Sequence, residues 1–181
     1  IIFGKRRHSS IASIDDKIFK NTITVNGVSK SFAMTGWRIG YMASPDEGII
    51  QAIKNLQSHS TSNPTSISQK AALEAIKGNL DAVQSMVREF EKRRDYIVER
   101  IRKIKGLSCI KPEGAFYVFC RIEKKGLSSM EFTESLLKEA KVAVVPGKAF
   151  GSDEHIRISF ATGMQDIQKG MDRIERWLEE R

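Results

Sequence analysis

Apolar positions fall into two rhythms along the chain, and the change between them marks its organisation. Residues 22–26 (TITVN) are rich in β-branched side chains and run into Asn26-Gly27, which predicts a short strand ending in a turn. Ile49, Ile50, Ile53 and Leu56 recur at helical spacing and predict a helix over 46–57. Asn63-Pro64 reads as an N-cap with a first-turn proline, opening a helix that Gly78 ends. A long helix is predicted from Leu80 to Lys105, with Val83, Val87, Phe90, Ile97, Ile101 and Ile104 forming one buried stripe.

After Gly106 the rhythm shortens. Leu107–Ile110 and Ala115–Ile122 read as strands separated by Pro112-Glu113-Gly114. Ser128 and Glu131 make a capping-box pair for a helix to about Lys141. Val142–Val145 and His155–Ala161 read as two further strands, the first closed by Pro146-Gly147. Thr162 and Gln165 make a second capping box, for a C-terminal helix that buries Met171, Ile174 and Trp177. The expected class is α/β: residues 1–80 belong to one α/β unit and 81–181 form a compact α+β unit.

Composition works mainly by exclusion. Hydrophobic residues make up 40% of the 181, enough for a core, and no apolar run is long enough to span a bilayer. The start, IIFGKRRHSSIAS, lacks the order of a signal peptide and has no initiator Met, so a processed or partial chain is expected. Cys109 and Cys120 are expected as free thiols in a reducing cytoplasm. His8, His59 and His155 are scattered, so no metal site is expected. The net charge of +8 raises nucleic acid as a partner. Much of that charge lies in mixed-sign helix, as in EFEKRRDYIVERIRKIK at 89–105, which reads as a solvated face. Neither nucleic acid nor membrane is therefore an expected partner.

Candidate chemistry is concentrated in residues 27–40, GVSKSFAMTGWRIG. A lysine joins an aldehyde as an imine only through its neutral amine, which a desolvated or electropositive setting favours. Lys30 follows a strand and a glycine turn, and Arg38 offers guanidinium donors suited to a phosphate dianion. Small residues at Gly27, Ser29, Gly36 and Gly40 let the backbone come close to a ligand. On residue type alone, the favoured reading of Lys30 is a solvated surface lysine, and that of Arg157 a strand-end arginine in a surface ion pair.

The segment resembles the attachment-site signature of class I and II aminotransferases, matched at Gly27, Ser29, Lys30, Gly36, Arg38 and Gly40. PEGAFYVF at 112–119, VVPGKAFG at 144–151 and HIRISFAT at 155–162 are also typical of that family and come in its order. The resemblance implies part of the type I pyridoxal-phosphate fold: the end of the large α/β domain (1–80) and the small C-terminal α+β domain (81–181). It implies pyridoxal 5'-phosphate held as an imine on Lys30, its phosphate bound by Arg38 and Ser29, and a substrate carboxylate bound by Arg157. It further implies a cytoplasmic homodimer acting on an amino acid and a 2-oxo acid, aspartate or one similar being the expected amino acid.

Two positions depart from family patterns. Some members have serine where Gly27 stands, so Ser29 or the backbone would serve the phosphate instead. An aspartate-specific branch has an arginine near STSNP (60–64) where this chain has Ser58. The resemblance covers only the later half of the family's chain. Its phosphate loop, ring-stacking aromatic, Asn, Tyr and pyridine-binding aspartate match positions ahead of Ile1. A fragment inactive by itself is therefore expected. A fold-related lyase or carbon–carbon bond former and a non-catalytic dimerisation fragment stand as alternatives, with a nucleic-acid module last.

Overall fold

The computed structural model describes residues 1–123 and 126–181. The chain divides into two compact units, Lys5–Ser85 with Ile1, and Met86–Arg181 with Ile2–Gly4.

In the first unit, α1 (Asp16–Lys20) opens on Asp15, whose carboxylate accepts the Ile18 N–H at 2.7 Å. Strand β1 (Thr24–Gly27) pairs antiparallel with β2 (Gly40–Ala43), from Thr24↔Ala43 to Gly27↔Gly40. Helix α2 (Glu47–Ser60) is capped by Asp46, and α3 (Ser66–Lys77) ends at Gly78. The start of α3 differs from the sequence expectation. Thr65 rather than Asn63 is its N-cap, without a side-chain cap bond; the Gln69 amide donates to the Pro64 carbonyl at 2.8 Å. The core here is small: Val28, Met34 and Ala72 are buried, with Phe32, Ile39, Ala71 and Ala75 packed around them.

In the second unit, the part of α4 (Asp81–Lys103) from Met86 onward contributes Ile97, Val98 and Ile101 to the core, with Ile104 just beyond. The predicted stripe is shorter than expected, since Val83, Val87 and Phe90 are only half-buried. Arg94 is buried instead. Its guanidinium donates to Glu91 at 2.9 Å and Asp95 at 2.8 Å and lies over the Phe3 ring at 4.5 Å, so the charge enters the interior already matched.

Strands β3 (Leu107–Cys109), β4 (Tyr117–Ile122), β5 (Val145–Pro146) and β6 (His155–Ser159) form an antiparallel sheet in the order β3-β4-β6-β5. Alternation sorts the faces. Val118, Cys120, Ile122, Ile156 and Ile158 are buried, whereas Phe119 and Arg121 are exposed and Tyr117, His155 and Arg157 half-buried. Helix α5 (Ser129–Ser135) meets β5 and β6, and α6 (Met164–Glu179) buries Ile167, Met171, Ile174 and Trp177. Trp177 sits edge-on to Phe132 at 5.0 Å and donates to Glu139 at 2.8 Å.

The Ser128–Glu131 capping box forms as expected. The Thr162–Gln165 box does not: Gly163 is the N-cap, and the Thr162 hydroxyl donates to Asp166 at 3.2 Å. The strand expected over Val142–Val145 is confined to Val145–Pro146. The preceding helix continues with π-type bonding through Ala140 and ends on a left-handed Lys141 (φ 57°), after which the Val142 N–H donates back to the Leu136 carbonyl at 3.4 Å rather than to a strand. Among the described residues, no helix is long and apolar enough to cross a membrane.

Cys109 and Cys120 are free and stand opposite each other across β3 and β4. Burial pushes the Cys120 thiol up to about 12, reinforced by the neighbouring Cys109 and partly offset by a backbone bond from Ser108. A raised thiol is kept protonated by the fold. Its contribution is thus fully present below the ordinary thiol range and is lost as pH rises from there toward 12. Cys120 is expected to resist iodoacetamide at mildly alkaline pH until urea unfolds the chain, with half-buried Cys109 modified first; equal labelling of both thiols in the native chain contradicts this.

Candidate active site

The loop between β1 and β2 carries Ser29, Lys30 and Arg38, and its base is tied shut by the Gly27↔Gly40 pair. The approach is close at both glycines: an added Cβ on Gly40 would stand 3.0 Å from the Asn26 carbonyl, and one on Gly27 would stand 3.2 Å from that of Ile39, so a side chain at either would push the neighbouring backbone by a few tenths of an ångström. The loop's apolar residues, Val28 and Met34, are buried with Ala72 of α3. Burying those two leaves Lys30 and Arg38 exposed and Ser29 half-buried. Ala33 and Arg38 both take left-handed backbone, with φ of 54° and 50°.

Arg38 donates one bond through Nη1 to the Thr35 carbonyl at 2.9 Å, which fixes the side chain against its own turn. It borders a cavity of about 990 Å³ together with Trp37, Tyr41, Gln57, Ser58 and Asn63. Ser58, where an aspartate-specific branch has arginine, donates its hydroxyl to the Asn55 carbonyl at 2.7 Å. Three of the four expected site residues thus lie on one short loop, and of these Arg38 lines the cavity while Ser29 and Lys30 do not.

The fourth, Arg157, belongs to the second unit and lies on the open face of the sheet, paired with Phe119 of β4 and Val145 of β5. Its Cζ lies over the Tyr117 ring at 4.3 Å and over the Phe150 ring at 4.4 Å. Among the described residues it has these two rings as partners and no carboxylate. The ion pair expected of a surface arginine is thus not formed. Beside it opens a cavity of about 780 Å³, lined by Ile110, Tyr117, Phe119, Phe150, His155 and Arg157. Sequence reasoning passed over Tyr117 and Phe150, although both lie inside the PEGAFYVF and VVPGKAFG segments. The alternation of β4 was the available signal, since it sets Tyr117 on the opposite face from the core residue Val118. No group of His, Cys, Asp and Glu among the described residues could hold a metal ion.

The donor set suits pyridoxal phosphate: an exposed primary amine for its aldehyde, and guanidinium and hydroxyl donors in the same loop for its phosphate. The family model for aminotransferase class I and II matches residues 2–174. The aspartate aminotransferase of Bacillus subtilis (strain 168) is 45% identical, over 99% of this chain and 47% of its own length. The aromatic-amino-acid aminotransferase 2 of Thermococcus litoralis is also 45% identical, over 99% of this chain and 46% of its own. The crystal structure of an aromatic aminotransferase from Pyrococcus horikoshii OT3 superposes with a TM-score of 0.93 at 46% identity, covering 99% of this chain and 48% of that one. The chain spans about half the length of the relatives it matches. It belongs to the class I and II aminotransferase family and carries part of the type I pyridoxal-phosphate transferase fold.

Proposed function

We propose that this chain supplies the cofactor lysine and the carboxylate-binding arginine of a pyridoxal-phosphate-dependent aminotransferase. The reaction moves an amino group between an amino acid, aspartate or one similar, and a 2-oxo acid. The observation that carries the reading is the closed β1–β2 loop, which leaves Lys30 and Arg38 exposed while Val28 and Met34 are buried.

Pyridoxal phosphate, when bound, supplies the electron sink for breaking a bond at the amino acid's Cα. Lys30 would hold it through the side-chain nitrogen and would also be the base that moves the Cα proton. Arg38 and Ser29 bind the phosphate oxygens. Arg157 receives the α-carboxylate through two parallel N–H···O bonds. Residues 1–80 are the closing part of the large cofactor domain and 81–181 the small domain, in a cytoplasmic homodimer. Exposed apolar side chains on α2 and α3, such as Leu56 and Ile67, support a further surface packing there.

The Thermococcus litoralis relative, named for aromatic amino acids, is as similar as the Bacillus subtilis one, so an aromatic amino acid is the second substrate reading. The test uses a polypeptide that joins this chain to the rest of the relatives' length, with pyridoxal phosphate, 2-oxoglutarate and either aspartate or phenylalanine. Glutamate is expected in step with the matching oxo acid. Ammonia released without a new amino acid would show a lyase instead. The 181-residue chain alone is expected to turn over negligibly, and robust turnover by it overturns that part of the reading.

A further inference from the structure

Arg157 is an unusual arginine, half-buried yet supplied by its described neighbours with aromatic rings rather than acids. Most arginines removed from water are matched by carboxylates or carbonyls, as Arg94 is here. An acidic partner at Arg157 would occupy the N–H donors that an incoming carboxylate needs. Ring faces hold the cation by its charge and leave the strong N–H···O bonds unspent.

We infer that Tyr117 and Phe150 are the positioning residues of a carboxylate site at Arg157, fixing its guanidinium so that its N–H edge is offered to the ligand. The inference rests on the carboxylate role proposed for Arg157 and adds how that role is achieved. Each ring is itself braced. Phe150 ends a 3₁₀ turn (Gly147–Phe150) and meets Phe119 edge-on at 6.2 Å and 90°. Phe119 stacks on His155 at 4.6 Å and 2°, and His155 Nδ1 is hydrogen-bonded to the Ser152 hydroxyl at 2.7 Å. On the other side, Tyr117 packs against Phe116 at 4.4 Å. The guanidinium is therefore held between two anchored rings. Arg157 can be fixed before ligand arrives, and less conformational freedom remains to be lost on binding.

The test is side-chain ¹⁵N NMR on the 181-residue chain, following the Arg157 Nε–H signal during titration with succinate. In the free chain, the side-chain protons of Arg157 should be shifted upfield by the two rings, and the shift should collapse in Phe150→Leu. Succinate should move the signal saturably. Phe150→Leu and Tyr117→Leu should each raise the dissociation constant about fivefold or more, while Phe150→Tyr stays within about twofold of the parent. Phe150 is 48% exposed, so its replacement leaves the fold intact and keeps the comparison valid if Tyr117→Leu proves unstable. If the parent chain shows no saturable shift, the carboxylate role of Arg157 fails and the inference falls with it. If the parent binds succinate and Phe150→Leu binds it equally well, the positioning role alone is overturned.

Discussion

Lys30→Ala should abolish covalent capture of pyridoxal phosphate on this chain. In a polypeptide completed to the relatives' length, it should lower amino transfer by at least about 10²–10⁴-fold, the range associated with losing a positioned acid–base group. The argument is local. Lys30 is exposed in a loop whose neighbours Val28 and Met34 are buried, so removing its side chain creates no cavity and strips no buried partner. Stability should change by no more than about 0.5 kcal/mol, so lost capture is not a folding effect. Borohydride reduction after incubation with the cofactor, followed by peptide mapping, reads the outcome directly. A single reduced adduct on the Lys30 peptide is expected, persisting in Lys148→Ala, because Lys148 is exposed in a separate turn of the second unit. Adducts spread evenly over surface lysines, or undiminished in Lys30→Ala, would show that the loop confers no selectivity.

Much of this is legible in the sequence, for identifiable reasons. The long helix, the C-terminal helix and the β4 alternation are strongly periodic, and burial follows the period: Ile97, Ile101, Met171, Ile174 and Trp177 are all in the core. Local chemistry was readable where one side chain decides it, as at the Ser128–Glu131 box. It failed where several side chains compete. Thr162 has an acceptor at Asp166, so the helix begins on Gly163 with no side-chain cap. The end of the α5 region is bonded in π fashion and draws the Val142 N–H back to the Leu136 carbonyl, which sequence does not signal, and the expected strand starts only at Val145. Arg94 reads as one more surface charge in a mixed-sign helix, because its partners at Pro112 and Phe3 lie far along the chain. The same holds at the candidate site. The residues in the β1–β2 loop are contiguous and therefore legible, whereas the setting of Arg157 needs rings from β4 and from the 3₁₀ turn. That setting exists only once the sheet is formed.

Gly147→Ala should be among the most damaging single-methyl changes in the second unit, and the reason is contact rather than backbone freedom. Gly147 is buried at the start of the 3₁₀ turn that ends in Phe150. A Cβ there would stand 2.2 Å from the His155 carbonyl oxygen and 2.5 Å from that of Ser152, and neither is a flexible side-chain end. The turn has little room to retreat. Ser152 N–H is bonded to the Gly147 carbonyl at 3.1 Å, and the Lys148 N–H donates to Ser129, whose hydroxyl donates to Asp153 at 2.7 Å. Either β6 or the turn must shift, and an overpacked interior of this kind costs about 3 kcal/mol. Two other glycines supply the scale. Gly151 has open space around it but φ of +86°, so Gly151→Ala should cost about 1–2 kcal/mol through backbone strain alone. Gly170 lies inside α6 with nothing within 4 Å, so Gly170→Ala should stabilise by about 0.5–1 kcal/mol. Urea unfolding of the three variants should return that order. Gly147→Ala should also disturb the Arg157 side-chain NMR signal, because the shifted turn carries Phe150 with it. A Gly147→Ala protein as stable as Gly170→Ala would mean that the turn yields freely. Phe150 could not then be a fixed wall for the arginine.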